Sequence, residues 1–240
     1  RRQRQMCIRD SLNGYTNTYA NVGKTSNIGI DLTLNTVNVK TRSFEWSTSI
    51  NAAWQKDKID ELANGKEDDI NNSWFIGQAL GVIYGYQSAG IWKEEDAAEM
   101  AKFNAKGHSF QAGMARPVDQ NGDYKIDPND DRVVIGHTRP RWTFGMTNTF
   151  SYKNFDLSVM LYGRFDYMVD TGSEWQGGRY TQRKINYYNE NNKNAEYQKP
   201  IHDDGGGDPY YQILGYKNGS FLKVRNISLG YTCLLYTSPS

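Results

Sequence analysis

Trp142-Thr143-Phe144-Gly145-Met146-Thr147-Asn148-Thr149-Phe150-Ser151-Tyr152-Lys153-Asn154-Phe155-Asp156-Leu157-Ser158-Val159-Met160-Leu161 decides the fold. Apolar side chains fall on alternate residues on both sides of Lys153-Asn154. Trp142, Phe144, Met146, Phe150 and Tyr152 precede it, and Phe155, Leu157, Val159 and Leu161 follow it. A period of two sends alternate side chains to opposite faces of a strand. An Asn at the second position of a two-residue connection tolerates the positive φ of a tight hairpin. Paired strands are therefore expected over about 141–152 and 155–165. Tyr152 and Phe155 flank the turn, where a membrane barrel places part of its aromatic girdle.

The same rhythm returns in Ile28, Ile30, Leu32 and Leu34, in Phe44, Trp46, Ile50, Ala52 and Trp54, and more weakly in Ile227, Leu229 and Tyr231. Strands over about 27–39 and 44–55 form a second hairpin around Lys40-Thr41-Arg42-Ser43. Long polar connections fill about 56–140 and 166–220. If strands alternate in direction, both long connections open at one end of the sheet and both tight turns at the other, as in outer-membrane barrels, whose long loops are extracellular. The expected fold is all-β: a partial antiparallel transmembrane β-barrel sheet with long extracellular loops and a short loop helix. That helix is expected over Lys93–Lys106, with Glu94, Glu95 and Asp96 at its start, Lys102 and Lys106 near its end and Gly107 stopping it. Its apolar face, Ala97, Met100, Ala101 and Phe103, is thin enough to suggest packing on a loop rather than nucleating a core.

Among 240 residues, 38% are hydrophobic and 23% charged, within the range of chains that fold. No run approaches the roughly 18 apolar residues of a membrane helix, which excludes a helical membrane protein and leaves a barrel open. Residues 1–11 (Arg1 to Ser11) and 233–240 (Cys233 to Ser240) resemble translated sequencing-adapter read-through and are set aside as artefacts, leaving a barrel segment over 12–232. Both cysteines, Cys7 and Cys233, fall in these tails. Without them the net charge moves from +1 to −2, so there is neither a basic field for nucleic acid nor a disulfide framework.

Asp119, Asn121, Asp123, Asp127 and Asp130, with the Lys125 carbonyl, place oxygen donors at the spacing of a calcium loop, making calcium the candidate cofactor. Tyr124 stands where such loops expect Gly and is expected to resist the sharp turn. An acidic turn cluster without an ion is the competing account. His108, His137 and His202 lack zinc-ligand spacing, and there is no phosphate loop, nucleophile elbow or metalloprotease helix, so no catalytic residue is expected. Trp175, Tyr180, Tyr187, Tyr188, Tyr210 and Tyr211 in the second long connection are substrate-loop candidates, because an aromatic face with a polar tip suits a sugar or peptide. The alternative for them is packing of the loop on its neighbours.

Several segments then resemble, in order, the C-terminal barrel half of the SusC/RagA family of TonB-dependent outer-membrane transporters. They are Ser26 to Leu34, Gly77 to Tyr86 with Gly90-Ile91-Trp92, Asp119 to Asp130 with Val134-Ile135-Gly136, Thr147 to Val159, and Phe221 to Tyr231. The resemblance implies a barrel of 22 strands around an N-terminal plug, a TonB box, and import of glycans or peptides with a SusD-like lipoprotein as lid, in the bacterial outer membrane. Plug and TonB box are not in this stretch, and five strands are fewer than the eight of the smallest closed membrane barrels. The isolated piece is therefore expected to need detergent. The alternative is a soluble extracellular β-sandwich binding module with a calcium-braced loop, which would bury its apolar face against a second sheet.

Overall fold

A computed structural model describes residues 5–8, 18–21, 23–171, 185–200 and 207–233. The strands are β1 (Gln5–Ile8), β2 (Thr18–Asn21), β3 (Gly23–Lys40), β4 (Phe44–Leu62), β5 (Val82–Tyr86), β6 (Ser88–Ile91), β7 (Ala115–Pro117), β8 (Arg132–His137), β9 (Trp142–Tyr152), β10 (Phe155–Phe165), β11 (Met168–Asp170), β12 (Tyr216–Asn218) and β13 (Phe221–Tyr231). One α-helix, α1, covers Ala97–Ala105 behind a 3-10 turn at Glu94–Asp96. Among the described residues no helix is long and apolar enough to cross a membrane.

The chain divides into two units. The first comprises residues 1–80, 139–167 and 219–240, and the second 81–138 and 168–218. β1 and β2 pair antiparallel in the first unit, outside its main sheet. That sheet has five antiparallel strands in the order β13-β10-β9-β4-β3. These are the five strands legible in the sequence, with β3 and β4 several residues longer at the long-loop end. Both tight turns lie at one end and both long connections leave and return at the other.

Register makes the sheet two-faced. Trp54 pairs with Trp142 and Trp142 with Phe165, while ten residues along the strand Phe44 pairs with Tyr152, Tyr152 with Phe155 and Phe155 with Tyr231. Two aromatic rows thus run straight across the strands. Between them, on the same face, Leu34, Ile50, Met146, Leu161 and Val224 share one row, and Leu32, Ala52, Phe144 and Leu222 occupy the next. The opposite face carries Asn35, Ser49, Thr147 and Asn226 among other polar groups, with Tyr162 between the guanidinium groups of Arg164 and Arg225.

Among the described residues nothing covers the apolar face. Ile30 is 66% exposed and Leu229 73%, and Trp142, Tyr152, Phe155 and Tyr231 are exposed as well. A sandwich would bury these side chains against a second sheet, so the soluble alternative does not fit this surface. Polar groups that do fall on the apolar face satisfy one another. Asn148 Oδ1 accepts from Trp46 Nε1 (3.1 Å) and Thr48 Oγ1 (2.8 Å), and Asn38 Nδ2 donates to Thr48 Oγ1 (2.6 Å).

One local expectation needs correcting. In the Lys153-Asn154 turn the positive φ falls on Lys153, at 53°, and not on Asn154. Asn154 serves the sheet instead. Its amide donates to the Thr232 carbonyl (2.8 Å) and its own carbonyl accepts from the Thr232 N–H (2.8 Å), tying the turn to the end of β13.

Candidate functional site

The second unit is built from the two long connections. Its core is aromatic: Trp92, Met100, Phe103, Phe110, Met114 and Ile126 are buried together, with Tyr86, Tyr124 and Tyr210 packed around them. α1 contributes Met100 and Phe103, so it does nucleate a core, contrary to the expectation from its thin apolar face. Its partners come from irregular segments with no periodicity to betray them. Arg116 lies 4.4 Å over the Trp92 ring and pairs with Asp96 (3.3 Å) and Glu99 (2.7 Å), clamping the helix start to β7.

Segment 119–131 folds as linked turns held by its own side chains. The Asp119 carboxylate accepts from the N–H groups of Gly122 (2.7 Å) and Tyr124 (2.8 Å), and Asp123 Oδ1 from the Lys125 N–H (2.8 Å). Asn121 Oδ1 accepts from the Asp123 N–H, and Asp127 Oδ1 from the N–H groups of Asn129 and Asp130. Those last two bonds, with Lys125 beside them, hold the Asp127 carboxyl below the usual carboxylate range. The residue that closes the loop is Asp131, which is fully buried and accepts from the N–H groups of Gln120 and Asp127, both at 2.8 Å. It lies one position beyond the spacing that drew attention to this stretch. Tyr124 takes the sharp turn after all, at φ 61°, with its ring against Phe103 and under Lys102. Among the described residues no three His, Cys, Asp or Glu side chains converge as a metal-holding group.

Of the aromatic candidates, Trp175 and Tyr180 lie outside the described residues, as does His202. The other four divide. Tyr210 packs inward against Tyr86 (5.3 Å between ring centres) and Phe110, and burial first, then the nearby Tyr86, Asp131 and Asp208, push its hydroxyl up to about 12. Tyr188 is buried with Ile91, Ala115, Ile213 and Leu214, and its ring fits because Gly113, at φ 89°, offers no Cβ where one would clash. Tyr211 is half-buried and accepts from Gln212 Nε2 (3.3 Å). Tyr187 is 43% exposed. It borders a cavity of about 690 Å³ whose walls include Glu94, Tyr188, Asn189, Glu190, Asn191 and Lys199. An aromatic ring beside carboxylate, amide and ammonium groups offers stacking, acceptors and donors together.

Two titratable groups, Asp208 buried and His108 half-buried, brace this unit. Asp208 accepts from the N–H groups of Ala115 and Tyr210, while burial, outweighing those bonds, raises its carboxyl. His108 stacks on Phe110 (5.1 Å), and its Nε2 accepts from the Ile126 N–H (2.9 Å), so the ring is neutral there. Sequence assigned neither residue a bracing role, because each acts through backbone groups that folding brings to it.

Comparisons with known proteins were made against this geometry. No family model matches the chain. A TonB-dependent receptor P26 of Formosa agariphila is 31% identical over 159 residues, covering 62% of this chain and 16% of that protein. A second receptor of that organism, P3, is 25% identical over 236 residues (91% and 23%), and the TonB-dependent receptor SusC of Bacteroides thetaiotaomicron is 26% identical over 233 residues (88% and 21%). This chain is similar to a segment of TonB-dependent receptors of the SusC/RagA type. Its fold agrees: structures of the RagAB peptide transporter and of the RagAB peptide importer in its open-open state match 94% and 95% of the chain at TM-scores of 0.65 and 0.64, with 20% sequence identity. The chain spans about a quarter or less of the length of these receptors. The five-stranded sheet is open and matches part of the fold of those transporters.

Burial, with the Lys125 charge second, holds His108 below its ordinary value. Its stabilising effect is therefore complete above about pH 6.5 and is lost as pH falls through the lowered folded value. Hydrogen exchange at the Ile126 amide, corrected for intrinsic rate, should lose protection as the pH falls below about 6.5. In His108→Gln that dependence should vanish. A flat profile in the unaltered chain would contradict the assignment.

Proposed function

We propose that this chain is a stretch of the wall and loops of an outer-membrane TonB-dependent import receptor, with its apolar sheet face against lipid and its long connections extracellular. One observation carries this above all: two aromatic rows bound an apolar face across the strands, and ten residue steps separate them. Ten steps are ~34 Å along a strand, and at a barrel tilt of ~40° the rows stand ~26 Å apart along the membrane normal, against the ~25 Å apolar band of membrane barrels. The polar face then lines the lumen. No bond-making chemistry is needed, and the relatives reported above bear receptor names.

The cargo is a glycan or a peptide, met in part at the Tyr187 cavity. TonB supplies the energy through the N-terminal part of such receptors, and a SusD-like lipoprotein covers the loops. The names SusC and RagAB peptide importer support this reading of partner and cargo class.

Adjacent residues test the wall. Met146 and Thr147 occupy opposite faces in the middle of β9. Met146→Arg should destabilise the whole lipid-inserted receptor by about 2–4 kcal/mol, as for a basic residue at the bilayer midplane, whereas Thr147→Arg should cost little. Folding titrations into lipid vesicles would show the difference, and equal costs would exclude a lipid-facing apolar side.

Transport is tested in the whole receptor. Uptake of a labelled oligosaccharide or oligopeptide should require TonB, and Tyr187→Ala should raise its half-saturation about twofold to tenfold, the size of one lost aromatic contact. Uptake of both cargoes unaffected by loss of the receptor would overturn the import function.

A further inference from the structure

β10 and β13 bring three cations together on the polar face of the sheet. Tyr162 pairs with Lys223 and Arg164 with Phe221. The register then shifts: Leu161 pairs with Val224 and Met160 with Asn226, which leaves Arg225 as an extra residue in β13. A bulge of this kind re-aims a side chain. Here it carries the Arg225 guanidinium over the Tyr162 ring, 5.3 Å from its centre. Arg164 lies on the same ring at 5.6 Å and donates from Nε to the Tyr162 hydroxyl (2.7 Å), and Lys223 Nζ stands 5.4 Å from the centre of the Phe221 ring.

Arg164, Lys223 and Arg225 are exposed, and among the described residues no carboxylate pairs with any of them. Asp166, two residues past Arg164, is taken up by Arg141 (3.5 Å). Asp156 accepts from Ser151 (2.7 Å) and lies six residues from Tyr162 along β10. Asp31 shares the Arg164 row but stands three strands away, ~14 Å at the usual strand spacing. A guanidinium held by its face on a ring keeps its N–H edge free, and that edge is the fork that takes a planar carboxylate in two bonds. The wall beside Tyr162 is open as well. Gly145 pairs with it, and the nearest atom to a Cβ placed on Gly145 would be the Asn51 carbonyl oxygen, at 4.0 Å.

We propose that Arg164, Lys223 and Arg225 form a station in the lumen wall for a carboxylate borne by the cargo, which lies against Tyr162. The site rests on the import reading given above, in which this face lines the lumen. Its depth favours cargo as the occupant. Arg164 and Tyr162 lie one and three residues inward of Phe165, or ~3 and ~8 Å below the long-loop aromatic row at a tilt of ~40°. That is the half of the wall nearer the extracellular opening, where charged side chains sort entering molecules by sign.

The test uses the whole receptor, purified in detergent and titrated with matched probes: trigalacturonate and its methyl ester, and an end-blocked glutamate peptide and its glutamine counterpart. In at least one pair the carboxylate form should bind about tenfold tighter at low salt, with the advantage shrinking as ionic strength rises. The pair that shows it tells whether a glycan or a peptide bears the acid. Arg164→Gln/Lys223→Gln/Arg225→Gln should erase the advantage while the neutral member of the pair still binds, which shows that the variant is folded. Arg225→Gln alone, an exposed substitution, should cut it about threefold. Equal binding within both pairs would overturn the carboxylate site and leave the import reading standing. Binding of no probe would count against both. A preference that survives in the triple variant would overturn the assignment to these residues. Equal binding, with a lower melting temperature in the cargo-free triple variant, would give the three cations to carboxylates within the receptor and overturn the cargo site.

Discussion

Everything in the first unit depends on the segregation of apolar and polar side chains to opposite faces of one antiparallel sheet. A single hairpin could show this by accident of composition. Here the register of four strand pairs carries it from β3 to β13 and aligns aromatic residues into two rows. A surface that exposes leucine, isoleucine and tryptophan over so wide an area is costly in water and favourable against hydrocarbon. The backbone needs of such a sheet are met between strands, and only its two outer strands, β3 and β13, present unpaired edges. The polar row of Asn38, Thr48 and Asn148 is tolerated on the apolar face because its donors and acceptors meet one another.

The five strands of this sheet were legible because a period of two is a strong local signal, and apart from the far end of β4 their ends were placed within about four residues. What the sequence could not show was how far β4 extends. Past Trp54 the apolar rhythm stops, yet the strand runs on to Leu62, where Ile59 is buried and exchanges main-chain hydrogen bonds with the segment at Gly77 and Gln78. The turn at Lys153 misled for a related reason: the Asn expected to accept positive φ was recruited by β13, 78 residues away.

The loop unit was less legible. Its core residues, such as Trp92, Phe110 and Met114, come from irregular segments, and its bracing groups, Asp131, Asp208 and His108, act on backbone amides that only folding brings near. The tyrosines of the second connection looked alike in sequence. Packing separated them, turning Tyr188 and Tyr210 into core and leaving Tyr187 at a cavity.

The most direct test of this account is a spin-label scan along β9, placing a label singly at each position from 143 to 151 in the whole receptor reconstituted in lipid. Accessibility to oxygen, which concentrates in hydrocarbon, should peak at the even positions Phe144, Met146, Asn148 and Phe150. Accessibility to a water-soluble nickel complex should peak at the odd positions Thr143, Gly145, Thr147, Thr149 and Ser151. Two opposed profiles with a period of two would establish a lipid face and an aqueous face on one strand. Profiles that rise and fall together, or that lack the period, would contradict a membrane wall.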